Sequence, residues 1–458
     1  MTQTFDAIVI GAGQSGPFLA VKLAEAGWKT ALIEREHLGG TCVNDGCTPT
    51  KTLVASAKVA HLARRAADFG IRVGPVAVDM KAVKARKDAV VNAAVASLTT
   101  WIDETANLTL VRGAAVFVGD KTIEVDGERM TAPKFFLNVG ARAVMPDWPG
   151  LAEVGALDNT SILALDVLPE HLIVAGGSYV GLEFAQMFRR FGARVTIVEY
   201  AERLIAREDE DVSELARRLL EAEGIEVVVG ARDFAVARQG GGVALSLTTS
   251  GAPRTIAGSH LLMAIGRRPN TDGLGLERAG VKTDGRGFIP VDEELRAKVD
   301  GIWALGDVNG RGAFTSTSYN DYEIVRDNLL GSGGRKVSDR FPAYALFIDP
   351  PLARAGLNKT QARASGKSVL RGSYPMARVA RAKERGETEG FMEVLVDAAT
   401  QRILGATLFG LEADEAIHSL INVMSADAPY TIIQRAAPVH PTVSELLPTL
   451  FSTLKPLA

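Results

Sequence analysis

Cysteine is nearly absent: the 458 residues contain two, Cys42 and Cys47. In a cytosolic protein such a close pair points to catalysis or metal binding rather than to a structural staple. Long hydrophobic runs are also missing, which leaves no segment able to span a membrane. There is no basic excess, since 51 Lys and Arg against 54 Asp and Glu give a formal net charge of −3. Arginine pairs such as Arg64-Arg65 and Arg189-Arg190 stand isolated, so nucleic acid is not expected as a partner. "MTQTFDAIVIGAG" enters an apolar strand with no basic segment ahead of it, so no secretion signal is expected and a cytoplasmic location is. Low-complexity tracts and short-period repeats are lacking as well.

What is present is an ordinary globular composition, 47% hydrophobic and 23% charged, in a chain long enough for about three to four domains. "DAIVIGAGQSGPFLAVKLAEAGWKTALIE" reads as strand, glycine turn, helix and strand, with Gly11, Gly13 and Gly16 in the order G-x-G-x-x-G and Glu34 at the second strand's end. The first glycine permits the turn, the second lets the backbone approach a pyrophosphate, and the third lets helix pack on strand. The helix N-terminus then faces the phosphates, and Glu34 accepts hydrogen bonds from ribose hydroxyls. The design recurs in "HLIVAGGSYVGLEFAQMFRRFGARVTIVE", where Gly176, Ser178 and Gly181 hold the glycine positions and Glu199 closes the unit. Glu34 follows Gly11 by 23 residues and Glu199 follows Gly176 by 23, so two dinucleotides are expected in one chain. Ser178 is a departure, because a side chain there crowds a pyrophosphate. A degenerate second copy that binds nothing is the alternative.

Between these units the pattern changes. "AAVFVGDKTIEVDGERMTAPKFFLNVG" and "FAVARQGGGVALSLTT" alternate in short strands about glycine-containing turns and read as small antiparallel insertions. Segments 55–70 and 81–105 read as helices with solvated charged faces. "GSGGRK" at 331–336 is the clearest linker. Beyond it, "GFMEVLVDAATQRILGATLFG" predicts a strand, turn and strand followed by helices, a separate α+β domain.

Cys42 follows the second strand of the first unit and so lies near its nucleotide crevice. The run from Thr41 into "KTLVASAKVAHLARRA" reads as a helix start. Residues five apart in an ideal helix are separated by about 7.5 Å along the axis, beyond the usual disulfide limit of about 7 Å. A bridge therefore requires a distorted first turn, for which Gly46 supplies the freedom, and strained accessible disulfides are the labile ones. A helix N-terminus also favours a reactive thiolate. Two alternatives stand beside this reading. One is a metal site, for which two thiols without nearby His or further Cys make a poor set, so that no metal is expected. The other is a pair of unpaired core cysteines.

"GGTCVNDGCTPTK" resembles the redox-active segment of the class I pyridine nucleotide-disulfide oxidoreductases, flavoproteins that include glutathione reductase, lipoamide dehydrogenase and mercuric reductase. "FFLNVGAR", "MAIGRRPNTDGLGLE", "GIWALGDVNG" and "HPTVSE" extend the resemblance over the whole chain. "FTSTSYNDYEIVRDNLLG" and "FIDPPLARAGL" are most similar to its mercuric-reductase-like branch, which includes the reactive-chlorine-resistance flavoproteins. The resemblance implies an α/β fold of two Rossmann-like dinucleotide-binding domains with small antiparallel β insertions and a C-terminal α+β dimerisation domain. Its divisions are 1–147 and 271–337 for FAD, 148–270 for NAD(P)H and 338–458 for dimerisation. FAD is implied on Gly11, Gly13, Gly16, Glu34, Gly40, Thr41, Gly140 and Asp307, and NAD(P)H on Gly176, Gly181, Glu199 and Gly266, with Tyr179 as an aromatic gate. Lys51 matches the lysine beside flavin N5, and Glu183 the acid that pairs with it. The implied reaction carries electrons from NAD(P)H through FAD to a Cys42–Cys47 disulfide. Cys47 is implied to face the flavin and Cys42 to attack substrate. His440 and Glu445 match an acid/base pair acting across a homodimer, although by spacing alone they read as a surface histidine and a glutamate.

Several features set the chain apart within that family. Asp45 stands where a neutral residue is usual and Thr48 where an aliphatic one is; a carboxylate beside the thiols opposes thiolate formation and suggests a substrate that is not strongly anionic. No C-terminal cysteine pair and no N-terminal metal-binding domain are expected, and "APVHPT" lacks the extra histidine of lipoamide dehydrogenases. Mercury, thioredoxin and lipoamide are therefore not the expected substrates. Glu199 favours NADH over NADPH, although Arg203 and Arg207 are close. Three functions are weighed: a thiol-dependent reductase of a small disulfide, oxidised sulfur species, electrophile or metal ion; a flavin NAD(P)H oxidase or transhydrogenase with incidental cysteines, or else a lipoamide-dehydrogenase-like enzyme; and a non-catalytic nucleotide-binding protein.

Overall fold

The computed structural model describes residues 2–457. Ala7–Ile10 is buried at every position, as expected of a strand covered on both faces. It forms the middle of a five-stranded parallel sheet ordered Ile302–Ala304, Lys134–Leu137, Ala7–Ile10, Thr30–Glu34, Leu108–Arg112. The chain thus leaves this layer after residue 137 and returns to it at 302. A second parallel sheet, ordered Glu226–Val228, Arg194–Val198, His171–Ala175, His260–Met263, lies in the intervening stretch. A three-stranded antiparallel sheet, Arg232–Gln239, Gly242–Thr249 and Ala252–Gly258, is inserted there, as the glycine-centred alternation predicts. The last layer is six-stranded and antiparallel, from Ala343–Leu346 at one edge to Lys455–Pro456 at the other.

One expectation needs correction. The segment from 114 to 140 is not a single antiparallel insertion. Val116–Gly119, Thr122–Val125 and Glu128–Thr131 are such a meander, completed by Thr2–Thr4 running parallel to the last of them. Lys134–Leu137, by contrast, pairs in parallel with both Ala7–Ile10 and Ile302–Ala304. Its sequence KFFL is buried at its last three positions, which marks it as an inner strand.

Of the two long helices, Cys47–Arg64 begins eight residues before and ends six residues before the predicted 55–70, whereas Met80–Asp103 falls close to the predicted 81–105. The second is capped by Asp79, whose carboxylate accepts hydrogen bonds from the amides of Lys81 and Ala82 at 2.9 and 3.1 Å. Only Met80, Lys87 and Ile102 on it are buried, so apart from Lys87 its charged side chains are at least partly solvated. The first is anchored differently. Leu53 and Ala57 enter a core shared with Leu182, Phe184 and Phe188 of the helix Tyr179–Phe191 and with Leu346, Ile348 and Phe409 of the C-terminal layer. All three parts of the chain therefore grip the helix that begins at Cys47.

Candidate active site

The first glycine cradle has no room for side chains. A Cβ on Gly11 would lie 2.3 Å from the Asn138 carbonyl oxygen, and one on Gly16 2.0 Å from that of Gly11. A Cβ on Gly13 would meet Asn138 Oδ1 at 2.8 Å, and Gly40 packs on Gly13, its own absent Cβ position being 2.8 Å from the Gly13 Cα. Asn138 escaped the sequence reading. It is 6% exposed, and its Oδ1 accepts hydrogen bonds from the amides of Gly16 and Ser15 at 3.0 and 3.4 Å while Nδ2 donates to the Leu305 carbonyl at 2.9 Å. Glu34 is buried too, accepting from the Ala12 and Glu36 amides, both at 2.7 Å, so it braces the glycine turn. Asp307 sits in the short turn Gly306–Asn309, 3.8 Å from Arg267. Burial raises its carboxyl and Arg267 opposes that shift. Arg267 also reaches Thr41 Oγ1 at 3.3 Å, which brings Thr41 and Asp307 to one side of the cradle. Gly140 and Gly266 flank the paired strands Ala141–Ala143 and Arg267–Pro269 that join the two parallel sheets' segments.

The second cradle repeats this construction with one difference. Gly176 packs against the Ala264 carbonyl at 2.3 Å, and Gly181 against that of Gly176 at 2.0 Å. The Glu199 carboxylate again braces the turn, accepting from the Gly177 amide and, at 2.7 Å, from Ala201. Where Asn138 follows its strand in the first unit, Ala264 does so here, each amide donating to the neighbouring strand, to Ile10 and Ala175 respectively. No amide side chain then crowds the third position of the turn, and Ser178 takes it with an exposed side chain that makes no capping bond. The serine is tolerated because its opposite number is small.

Cys42 and Cys47 are free thiols in this structure, on either side of a break in the helix. Cys42 belongs to the short helix Gly40–Asn44 and Cys47 opens the helix Cys47–Arg64, with Gly46 between them at φ −138° and ψ −115°. The continuous helix from Thr41 is thus corrected to two, and the break brings the sulfurs within hydrogen-bonding reach of each other. Thr315, 268 residues beyond Cys47, places its hydroxyl 3.0 Å from the Cys42 sulfur and 3.3 Å from that of Cys47. The hydrogen bond from Cys42, helped by Thr315 and the charge of Lys51, holds the Cys47 thiol down to about 6, against Glu183 and the partial desolvation of an otherwise exposed residue. The same shared bond, together with burial, pushes Cys42 up. One thiolate and one protonated thiol result. Lys51 lies one helical turn beyond Cys47, with Nζ 2.7 Å from Glu183 and 4.7 Å from the centre of the Phe347 ring. Glu183 also accepts from the Phe347 amide at 2.9 Å, which fixes the acid that fixes the lysine. The leading charge effects on Cys47 come from Lys51, which lowers its thiol, and Glu183, which raises it. Asp45 instead feels burial, which raises it, and His37.

Tyr179 donates to the buried Glu208 at 2.7 Å. His440 Nδ1 is 2.7 Å from Glu445, and its side chain is 75% exposed. Among the described residues no hydrogen bond joins His440 to either thiol of its own chain, so the cluster around the cysteines and the His440–Glu445 pair are separate.

Two turns closed to a Cβ at Gly11, Gly13 and Gly16 in the first and at Gly176 and Gly181 in the second, each opening a helix beside a strand-end acid, fit dinucleotides, and the thiol pair beside the first fits electron transfer. The chemistry is that of a two-nucleotide redox enzyme. Residues 5–321 match the family model for pyridine nucleotide-disulphide oxidoreductase and residues 342–451 that for the dimerisation domain of the same proteins. The chain belongs to this family, whose members work with FAD and NAD(P)H. It is 38% identical over 459 residues to the probable pyridine nucleotide-disulfide oxidoreductase RclA of Escherichia coli K12, with 98% of this chain and 99% of that one covered. A mercuric reductase of Staphylococcus aureus is 34% identical over 91% of this chain and 76% of its own length. The solved structure of the HOCl-induced flavoprotein disulfide reductase RclA from E. coli superposes with a TM-score of 0.89 at 37% identity, covering 98% of this chain and 99% of that one.

Proposed function

We propose that this FAD-dependent oxidoreductase passes the electrons of NAD(P)H through Cys42 and Cys47 to a sulfur or metal acceptor. The observation that carries the reading is the thiol cluster: two free cysteines that share the Thr315 hydroxyl, at 3.0 and 3.3 Å, with a braced Lys51 one turn beyond Cys47. FAD bound on Gly11, Gly13, Gly16, Glu34, Gly40, Thr41, Gly140 and Asp307 supplies the two-electron carrier between nicotinamide and thiols. Gly176, Gly181, Glu199 and Gly266 hold the nicotinamide nucleotide, and Tyr179 covers its reactive end. Lys51 presents a cation where negative charge accumulates, and Glu183 keeps it there. Cys47 keeps its negative charge on the flavin side, and Cys42, protonated until it reacts, is the thiol that meets the acceptor. Reduction of a two-electron acceptor leaves the pair joined as a disulfide, with the proton of Cys42 taken up by a base. His440, oriented by Glu445, is that base for a second copy of the chain.

The division 1–147, 148–270, 271–337 and 338–458 follows this assignment of roles. NADH is the preferred donor, because Glu199 repels a 2′-phosphate and Arg203 is engaged with the carbonyls of Ala206 and Glu208 at 3.2 and 3.1 Å. The cytoplasm, where thiols are kept reduced, suits this chemistry, and no helix among the described residues is long and apolar enough to cross a membrane. The test is an anaerobic titration with NADH. A long-wavelength thiolate-to-flavin absorption band is expected and is lost in Cys47→Ser. If both proteins simply bleach alike, the cysteines lie outside the electron path and a flavin oxidase replaces this reading.

A further inference from the structure

Three aromatic rings from separate parts of the chain meet beside one buried carboxylate. Glu208 is 2% exposed, and its Oε1 accepts hydrogen bonds from the hydroxyls of both Tyr179, at 2.7 Å, and Tyr344, at 2.6 Å. Its Oε2 is held by Arg354 at 2.5 Å, itself 2% exposed. Tyr344 stacks on Phe314 with centroids 4.9 Å and planes 9° apart, while Tyr179 meets these two rings edge-on at 5.5 and 6.1 Å. Phe314 immediately precedes Thr315, the residue on both sulfurs. The cluster is therefore continuous with the redox centre.

Arg354 alone balances the charge of Glu208, so the two tyrosines require another explanation. Burial and the Glu208 charge push both phenols up, which keeps them protonated and able only to donate to it. One carboxylate oxygen has lone pairs for two donors, but each donor is served less well than it would be alone. Tyr179 is the first residue of the helix that opens the second cradle. For its ring to move aside, the bond to Glu208 must break.

We propose that Glu208 is a positioning residue that latches Tyr179 over the nicotinamide pocket, and that Tyr344 moderates the latch by competing for the same oxygen. This rests on the reading of Tyr179 as the cover of that pocket. Because entry needs the open ring, the affinity for a nicotinamide is reduced by the fraction of molecules that are open. Two single-oxygen deletions then act in opposite directions. Tyr179→Phe releases the latch and tightens binding by about ten-fold, the scale of one hydrogen bond to a charged acceptor. Tyr344→Phe leaves Oε1 to Tyr179 alone and weakens binding about three-fold on the same scale. Both leave the Glu208–Arg354 pair intact, so neither strands a buried charge.

The experiment is calorimetric titration of the oxidised FAD holoenzyme with tetrahydro-NADH, which cannot donate hydride, and with ADP-ribose, which lacks the nicotinamide. Opposite shifts for tetrahydro-NADH with unchanged ADP-ribose binding are expected. Shifts of the same sign, or none, with normal ADP-ribose binding overturn the latch and leave the nucleotide site standing. Failure of the unaltered protein to bind ADP-ribose removes the nucleotide site itself. Should Tyr179→Phe lose its FAD, the sign of the Tyr344→Phe shift decides alone.

Discussion

Thr315 has one hydroxyl proton and two sulfurs in reach, at 3.0 and 3.3 Å. It contributes to lowering both thiols, and the uneven outcome arises because the cysteines also bond to each other, with Cys42 as the donor. Thr315→Val keeps the shape and removes the proton. A hydrogen bond to a charged acceptor corresponds to about one to two pH units. The midpoint of Cys47 alkylation, expected near 6 in the unaltered protein, therefore moves upward by that amount in the variant. The sign follows from the state that is lost: the hydroxyl stabilises the thiolate, so its removal raises the pH needed to form it. The iodoacetamide reaction rate followed from pH 4 to 9 on the reduced proteins checks this, and an unmoved midpoint contradicts it. Thr315 left no mark in the sequence that local pattern could detect, because a threonine at a helix start reads only as a helix start. Lys51 and Glu183 were found through the family resemblance, and the 2.7 Å pair shows why they belong together.

At the scale of elements, the two glycine cradles are one construction in two versions, and the difference between them turns on the residue after one strand. Asn138 stitches the first turn to its helix and to Leu305, so Gly13 must stay small. Ala264 does none of this, and Ser178 is accommodated. Asn138→Ala strands two amides and a carbonyl in a buried place, which costs roughly 2–4 kcal/mol at about 1 kcal/mol or more per unsatisfied group. The loss falls on the first cradle, so the variant is expected to release its flavin at lower temperature than the unaltered protein. Flavin fluorescence on heating measures this. A release temperature equal to that of the unaltered protein argues against the stitch. The repeated glycine spacing, the strand-end acids, the inserted hairpin and the two long helices were legible because each follows from a local period or turn. Asn138 was not, since a polar residue after an apolar strand looks like the strand's end. The sheet that Lys134–Leu137 joins is hidden from local pattern for a related reason. Four residues carry no information about whether their partner is the preceding hairpin or a strand at residues 302–304, and only the assembled layer decides.

For the whole molecule, the question is where His440 finds a thiol. The segment Gln434–Pro441 is exposed throughout, with Val439 at 76%, whereas Glu445 beneath the histidine is largely covered. A flexible surface histidine has no need of a carboxylate held 2.7 Å away, but a base delivered to another subunit does, because its ring must arrive in one orientation. The residues matching the dimerisation domain, 342–451, include this segment. If His440 serves a second copy, a subunit with Cys47→Ser and one with His440→Ala are each inactive with their own kind yet complementary when mixed. The mixed dimer has one site with native thiols and a native histidine, and one with neither. Random pairing makes half the dimers mixed and half of their sites intact, so coexpression restores about a quarter of the unaltered activity. The measurement is turnover per bound flavin in the separated mixed dimer, expected at roughly half the unaltered value. Mixed dimers no better than either parent place His440 outside the partner's site. A His440→Ala homodimer that turns over normally removes it from the reaction altogether.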